Sequence, residues 1–331
     1  NERNELEIKD LNNGKYEVKM KFKNEGKYLI SLQYNGFDLN TSPFRIQVLS
    51  KLKSRDYDEI NEPKLTFGNE EENKDGLFGS YGITIDPNGN IYACDWEKSQ
   101  IQIFDSQGKF TSSFGSEGEG NGQFKYPNGI TINSKGNIIV SDYSNHRIQI
   151  FDSEGNFIST FGSKGEENGQ FYHPEGICVD LNDNIYVCDG KNHRIQIFDS
   201  EGNFISTFGT KGEENGQFYR PTGITINSHG NIIVSDIGNH RIQIFDSKGN
   251  FISTFGSEGN RNGQFDDLHG ICVDMNDNIL VCDGNNHRIQ TFGPQGEYIT
   301  QFKVRFPTDI KIDPQTLNIV VCGEDSGAFI F

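Results

Sequence analysis

The sequence predicts an all-β chain whose larger part is a six-bladed β-propeller. Three observations carry this prediction: an internal repeat of 47 residues, four strand-like runs in each unit, and complementary fragments at the two ends of the repeated region. Alanine, a strong helix former, occurs only at Ala93 and Ala328, whereas β-branched and aromatic residues recur in short runs. A helical bundle or a helix-rich enzyme is therefore not expected.

The repeat defines the blades. Phe114, Phe161, Phe208 and Phe255 stand 47 residues apart, and the sequence NHRIQIFDSEGNFISTFG at residues 145–162 recurs unchanged at 192–209. Within residues 128–161, the runs NGITIN, NIIVSD, RIQIFD and NFISTF are separated by short connections, two of them glycine-containing turns typical of hairpins. Each unit is therefore predicted to be a four-stranded antiparallel meander, which is typical of a propeller blade.

The two ends of the repeated region complete each other. The last copy has three strand-like runs, PTDIKID, NIVVCG and FIF, and the chain ends at Phe331. The unmatched segment KLTFG at residues 64–68 resembles the fourth strand of the other copies, ISTFG. We expect this N-terminal strand to close the last blade, because closure removes exposed sheet edges. Residues 64–331 then form the propeller.

Charge and cysteine content limit the expected partners. Residues 1–63 carry 11 basic and 11 acidic side chains, so the net charge of −17 falls on residues 64–331. This field repels phosphate backbones and anionic lipids, so neither DNA nor a membrane is expected as a partner. The six cysteines lie in strand-like runs without metal-ligand spacing, which predicts reduced, buried thiols in a cytoplasmic protein and no cofactor.

The units resemble NHL repeats. In that family a hydrophobic strand ends in Asp and is followed by Asn-His-Arg, as in Asp142 with Asn145-His146-Arg147 and at the positions numbered from Asp189, Asp236 and Asp283. The first blade departs from this pattern with Lys98-Ser99-Gln100, and the last has Gly323 in place of the Asp. The resemblance implies a six-bladed propeller over residues 64–331.

The N-terminal part resembles another module. Residues 1–49, with NGKYEV, GKYLI and SPFRIQV, are similar to part of a filamin-type immunoglobulin-like repeat, and residues 50–63 read as a linker. A sandwich needs about seven strands, so the remaining strands are expected before Asn1. This order resembles the C-terminal region of tripartite-motif ubiquitin ligases, which implies a substrate- or RNA-recruiting tail without catalytic residues. RING, B-box and coiled-coil segments would precede it.

The repeated histidines raise the question of a metal site. His146, His193, His240 and His287 occur once per blade, so a ring keeps them apart, and we expect them to brace the connection within each blade. A metal-dependent propeller lyase or lactonase is a less favoured alternative. Its ligands would be residues that break the repeat, for which the candidates are His173, Glu175, His269 and Asp309.

Binding is the favoured function. The connections between blades place unlike side chains at one rim of the channel, and exposed aromatic and basic residues on a rigid scaffold are typical of recognition surfaces. The partner-binding candidates are Tyr81, Lys125, Tyr126, Tyr172, His173, Tyr219, Arg220, His269, Arg305 and Phe306. A protein or a substrate peptide is the expected partner. Single-stranded RNA, stacked on the tyrosines, is the alternative that the net charge of −17 disfavours.

The connection into the last blade is shorter than the others. The Gly-Ile pairs recur every 47 residues, but the equivalent Asp309-Ile310 follows Gly270 by only 39. We expect this deletion to leave a notch in the rim beside Arg305 and Phe306, where a peptide would dock.

Overall fold

The computed structural model describes residues 57, 60, 62–68, 77, 79–324 and 327–331 in full, together with the backbone of six strands within residues 5–48. The chain divides into two compact units, Asn1–Asp56 and Tyr57–Phe331. Within the described residues no helix is long and apolar enough to cross a membrane.

The second unit is a six-bladed propeller, and each blade is a four-stranded antiparallel sheet. Blade 1 contains β8 (Ser80–Ile85), β9 (Ile91–Asp95), β10 (Gln100–Phe104) and β11 (Phe110–Phe114). Blade 2 contains β12 (Pro127–Ile132), β13 (Ile138–Asp142), β14 (Arg147–Phe151) and β15 (Phe157–Phe161). Blade 3 contains β16 (Pro174–Val179), β17 (Ile185–Asp189), β18 (Arg194–Phe198) and β19 (Phe204–Phe208).

The remaining blades follow the same order. Blade 4 contains β20 (Pro221–Ile226), β21 (Ile232–Asp236), β22 (Arg241–Phe245) and β23 (Phe251–Phe255). Blade 5 contains β24 (Leu268–Val273), β25 (Ile279–Asp283), β26 (Arg288–Phe292) and β27 (Tyr298–Lys303). Blade 6 contains β28 (Pro307–Ile312), β29 (Ile319–Gly323), β30 (Gly327–Ile330) and β7 (Leu65–Phe67). Blades 2, 3 and 4 each have one 3₁₀ turn between the second and third strands: Tyr143–Asn145, Gly190–Asn192 and Ile237–Asn239.

Blade 6 confirms the predicted closure of the ring. Strand β7 pairs antiparallel with β30, so that Leu65 lies opposite Ile330 and Phe67 opposite Ala328. The strand that precedes blade 1 in the sequence is thus the outermost strand of the last blade. The predicted four-stranded meanders are also confirmed, with bounds within two residues of the expected runs in blade 2.

One aromatic contact repeats at every joint between blades. One phenylalanine of each pair lies at or next to the end of a blade's outer strand. The other lies at the end of the third strand of the next blade, or directly after it, and the two ring centroids are 4.8–5.0 Å apart. The six pairs are Phe67–Phe104, Phe114–Phe151, Phe161–Phe198, Phe208–Phe245, Phe255–Phe292 and Phe302–Phe331. The hydrophobic core therefore lies between adjacent sheets, and Phe331 belongs to one of the six phenylalanine pairs.

The first unit consists of short strands in three antiparallel pairs. Its strands are β1 (Glu5–Asp10), β2 (Tyr16–Lys21), β3 (Gly26–Ile30), β4 (Gln33–Tyr34), β5 (Phe37–Asp38) and β6 (Phe44–Val48). The pairs are β1 with β2, β3 with β6, and β4 with β5. The immunoglobulin-like assignment of residues 1–49 and the linker assignment of residues 50–63 stay predictions.

Candidate functional site

The channel mouth is formed where the six inner strands begin. Each inner strand has a β-bulge near its start, between Pro127 and Ile130 in blade 2, at the same place in blades 1, 3, 4 and 5, and between Pro307 and Asp309 in blade 6. A bulge redirects side chains out of the pleat. The second residues of the six strands, which we call the channel mouth, line the central opening: Tyr81, Asn128, Glu175, Thr222, His269 and Thr308.

Glycines at the third strand position allow the blades to meet at the axis. A Cβ at Gly129 would lie 2.5 Å from the backbone oxygen of Glu175, which is shorter than any stable contact. Five blades have glycine here, but blade 6 has Asp309, whose Oδ2 accepts a hydrogen bond of 3.0 Å from the backbone nitrogen of Ile83. Asp309 therefore connects blade 6 to blade 1 at the seam that closes the ring.

The residue before each inner strand has a left-handed backbone. We call these six residues the rim positions: Gly79 (φ 56°), Tyr126 (61°), His173 (60°), Arg220 (60°), Asp267 (63°) and Phe306 (42°). Glycine adopts this conformation readily, whereas other residues adopt it at a cost of about 1–3 kcal/mol. Five large or charged side chains are therefore held at the rim although glycine is the less strained choice, and strain of this kind is concentrated at functional sites.

Two sets of hydrogen bonds hold the rim positions. The buried carboxylate of Asp142 accepts from the backbone nitrogen of Lys125 at 2.8 Å and from Arg147 Nε at 2.9 Å, and Asn145 and Gln149 donate to it as well. Arg147 also donates to two backbone oxygens of the incoming connection. The same arrangement recurs at Asp189, Asp236 and Asp283.

The sequence predicts that the repeated histidines brace the connection within their own blade, but the side chains of His146, His193 and His287 bond to the next blade instead. The Nδ1 atom of His146 accepts a hydrogen bond of 3.1 Å from the backbone nitrogen of His173, which is the rim position of the next blade. His193 accepts from Arg220 at 3.0 Å in the same way. Burial lowers the pKa of His146 to about 4, so its imidazole is neutral and Nδ1 has a free lone pair at neutral pH.

Aromatic side chains form a continuous surface over blades 1, 2 and 3, which we call the aromatic arc. The ring of Trp96 lies 4.6 Å from Tyr81 and stacks on Tyr126 at 4.8 Å. Tyr143 contacts both Trp96 and the ring of His173, and Tyr172 stacks on His173. The arc thus consists of Tyr81, Trp96, Tyr126, Tyr143, Tyr172 and His173. Tyr126 is 41% exposed and Tyr172 is 37% exposed, so partners have access to it.

Charged side chains line the rest of the mouth and also lie beside Tyr81, at one end of the aromatic arc. Arg220 Nη2 lies 3.3 Å from Oε1 of the buried Glu175, and Lys311 Nζ lies 3.4 Å from Asp309 Oδ1. His269 Nε2 is 3.0 Å from Asp267 Oδ2, which lowers the pKa of that carboxyl. The hydroxyl of Tyr81 donates to Glu324 Oε1 at 3.4 Å. Arg220 and Lys311 are therefore each already paired with a carboxylate.

The structure brings several predicted residues together. Five of the candidates lie in or beside the mouth and the aromatic arc: Tyr81, Tyr126, His173, Arg220 and His269. Other candidates precede the rim positions. The Lys164 ammonium lies 5.3 Å above the ring of Tyr172, and the Lys211 ammonium lies 5.6 Å above that of Tyr219. Lys125 is exposed, and Arg305 lies 5.9 Å from the ring of Phe306.

Sequence reasoning missed Trp96, Tyr143 and Glu324. All three follow the last residue of the second strand of their blade, at the position that holds Gly190, Ile237 and Gly284 in the other blades. The residue at this position differs from blade to blade, whereas the neighbouring Asp and Asn residues hardly change between blades 2 and 5. This contrast was the signal by which the sequence could have indicated a binding position.

The residues named for a metal enzyme do not form a ligand cluster. Glu175 and Asp309 are paired with cations, His269 with Asp267, and His173 packs between Tyr143 and Tyr172. No group of three or more potential ligands occurs in the part of the chain that the structure describes. The cavity at the mouth measures about 40 Å³, far below the roughly 300–1,000 Å³ of typical small-molecule pockets.

The short connection into blade 6 lies next to a larger cavity. Its volume is about 810 Å³, and its lining includes His287, Gln301 and Lys303 of blade 5 together with Ile60 and Glu62. Neither Arg305 nor Phe306 is among the described residues that line this cavity, so the notch expected beside them stays a prediction.

Comparison with known families agrees with this geometry. The NHL repeat model matches residues 124–151, 171–198, 218–245 and 265–292. Blades 2 to 5 of the propeller contain NHL repeats. Each match begins at a buried phenylalanine of the incoming connection and ends at the phenylalanine of the third strand. The four NHL matches fall on blades 2 to 5, which are the blades with the Asp, Asn, His and Arg residues described above.

Relatives and solved structures give the wider context. A stretch of 104 residues is 35% identical to E3 ubiquitin-protein ligase TRIM71 of Rattus norvegicus and of Gallus gallus, covering 31% of this chain and 12% of each relative. The matched region is thus about an eighth of the length of these proteins. The fold is similar to a putative gluconolactonase (TM-score 0.62, 14% identity, 77% of this chain and 89% of that chain). It is also similar to virginiamycin B lyase from Staphylococcus aureus (TM-score 0.56, 17% identity, 78% and 86%).

Proposed function

We propose that this propeller is a non-catalytic recognition module that binds a protein partner through the face formed by the channel mouth, the rim positions and the aromatic arc. The carrying observation is the set of five non-glycine residues held in the left-handed conformation on one rim. Strained, partly exposed aromatic and charged side chains on a rigid ring are suited to recognition. The mouth cavity of about 40 Å³ favours a partner laid across the face over a small molecule.

The proposal extends to the setting of the module. The similarity to TRIM71 supports a role as the substrate-recruiting tail of a tripartite-motif ubiquitin ligase, with the immunoglobulin-like segment of residues 1–49 before the propeller. Six unpaired cysteines support a cytoplasmic location, because the cytosol keeps thiols reduced.

Glycine substitution tests the proposal directly. Tyr126→Gly and Phe306→Gly remove rim side chains and also relieve the left-handed strain, so these variants should bind the partner at least tenfold more weakly while unfolding at an equal or higher temperature. The partner is first captured from cell extract with the full chain, then purified and titrated by calorimetry. Ile158→Ala, on the exposed outer strand of blade 2, is the matched control.

Unchanged affinity of the two glycine variants contradicts the proposal. Loss of affinity together with loss of thermal stability also counts against it, because the side chains would then serve the fold. Restored affinity in Tyr126→Phe identifies the ring as the contacting group.

Single-stranded RNA is a second candidate, and one observation favours it. Lys164 and Lys211 lie over the exposed rings of Tyr172 and Tyr219, and pairs of cations and aromatic rings bind nucleotides by stacking and charge. Asp266 and Asp267 at the equivalent place in blade 5 oppose it. Filter binding to a random RNA pool at low and at physiological salt separates the two candidates, because binding to phosphates weakens steeply with salt.

A further inference from the structure

We propose that the partner segment is basic, and that one of its Lys or Arg side chains packs on the aromatic arc beside Tyr81 and faces the carboxylates of Glu324 and Asp267. This inference rests on the proposed function and adds the chemistry of the partner. It follows from which ring faces are open, which charges are already paired, and the charge of the propeller as a whole.

Within the part of the chain that the structure describes, the aromatic rings that no lysine covers lie on blades 1 and 2. At blades 3 and 4 the propeller's own lysines cover the rings of Tyr172 and Tyr219. Among the described residues, no cation lies over the rings of Tyr81, Trp96 or Tyr126. The ring of Trp96 is stacked between Tyr81 and Tyr126, so the exposed ring here is that of Tyr126, which is 41% accessible, and tyrosine faces attract ammonium and guanidinium groups. Tyr172 of the arc is therefore already covered by a lysine, whereas the part of the arc around Tyr81 and Tyr126 is free to accept a cation from the partner.

Among the described residues, the carboxylates beside this surface form no ion pair with a lysine or an arginine. Arg220 and Lys311 are paired with Glu175 and Asp309, as described above. Among the residues that the structure describes, Glu324 has no ion pair, and it accepts only from the hydroxyl of Tyr81. The pair of Asp267 is a histidine, His269. A Lys or Arg side chain from the partner supplies the missing positive charge.

The electrostatics at Tyr81 agree with this assignment. Its pKa rises to about 12, first because of burial and then because of the negative charges of Glu324, Asp267 and Glu175. The phenol oxygen thus lies in a negative potential that a cation would relieve. At longer range, a propeller with a charge of −17 steers basic segments toward it and slows the approach of anionic ones.

Selection from a peptide library tests the inference without knowledge of the natural partner. A phage-displayed library of random 12-residue peptides is panned on the full chain, and the enriched peptides are synthesised and titrated by fluorescence anisotropy. We expect enrichment of Lys and Arg, affinity that falls as salt rises, and at least tenfold weaker binding to the Glu324→Gln, Asp267→Asn double variant. Glu154→Gln, in the turn between the third and fourth strands at the opposite end of blade 2, is a control that changes the same kind of charge.

The outcomes separate the inference from the proposed function. Enriched peptides without basic residues, or basic peptides that bind the double variant as tightly as the parent, overturn the inference; if Tyr126→Gly still weakens their binding, the proposed function stands. Binding of RNA on this face, with no peptide competing, overturns both. Unfolding curves of the double variant that match the parent show that any loss of binding is local.

Discussion

The imidazole Nδ1 of His193 lies 3.0 Å from the backbone nitrogen of Arg220, 27 residues further along the chain and in the next blade. His193, a histidine of the NHL pattern, therefore connects two blades and supports the strained residue that presents a side chain at the rim, whereas Nδ1 of the equivalent His240 has no hydrogen-bond partner among the described residues. His146 and His287 make the same contact with His173 and Phe306. The repeated residues thus position the variable ones.

This contact predicts a dependence of stability on pH. The pKa values of His146, His173 and His193 are lowered by burial, that of His146 from 6.5 to about 4. Between these two pH values the unfolded chain binds a proton at His146 that the native state does not, so His146 contributes stability above pH 6.5 that is lost as the pH falls toward 4, and His173 and His193 act in the same direction. His146→Gln should flatten the decline in the free energy of unfolding between pH 6.5 and 4, measured by urea denaturation at several pH values. An unchanged slope would show that the neutral imidazole is not required.

The buried aspartates predict large and specific losses of stability. Asp142 is fully buried and accepts four hydrogen bonds, including one from Arg147. Asp142→Ala leaves the guanidinium without its partner and should lower the free energy of unfolding by about 3–5 kcal/mol. Asp152→Ala, in an exposed turn of the same blade, is the control and should lower the free energy of unfolding far less. Chemical denaturation measures both, and equal losses would contradict the interpretation.

The glycines at the axis predict a steric effect. An alanine at Gly129 would place its Cβ 2.5 Å from the oxygen of Glu175 in the neighbouring blade. Backbone atoms cannot move aside as a flexible side chain can. Gly129→Ala should therefore lower the free energy of unfolding by several kcal/mol, more than the roughly 1–3 kcal/mol of ordinary overpacking. Gly136→Ala, with a positive φ of 82° but open space around it, isolates the cost of backbone strain, about 1–2 kcal/mol. If the two variants had equal thermal stability, the close approach at the axis would not limit the fold.

The six thiols should be unreactive in the native state. Burial raises the pKa of Cys178 and Cys272 to about 12 and that of Cys322 to about 11. Since the thiolate is the reactive species, a disulfide reagent at pH 8 should label the native chain slowly and all six cysteines rapidly after denaturation. Rapid labelling of one or more native thiols would indicate local opening of a blade.

The blades could be predicted from the sequence because each is specified locally, by alternating strands, glycine turns and a repeat. Phe331 illustrates this, because it packs on Phe302 in the same way as Phe151 packs on Phe114 at the equivalent position of the repeat. The site was predicted only in part. The left-handed backbone of Tyr126 and the stacking of Trp96 between tyrosines depend on two or three blades meeting at the axis, which a pattern within one repeat does not encode.

Strand β7 has a consequence for association between molecules. It is only three residues long and pairs with an edge of blade 6 that would accept the same segment from another copy. A dimer in which two chains exchange β7 would keep every strand pairing of the monomer. Its formation would then depend on the protein concentration, which favours the dimer, and on the length of the segment between β7 and β8.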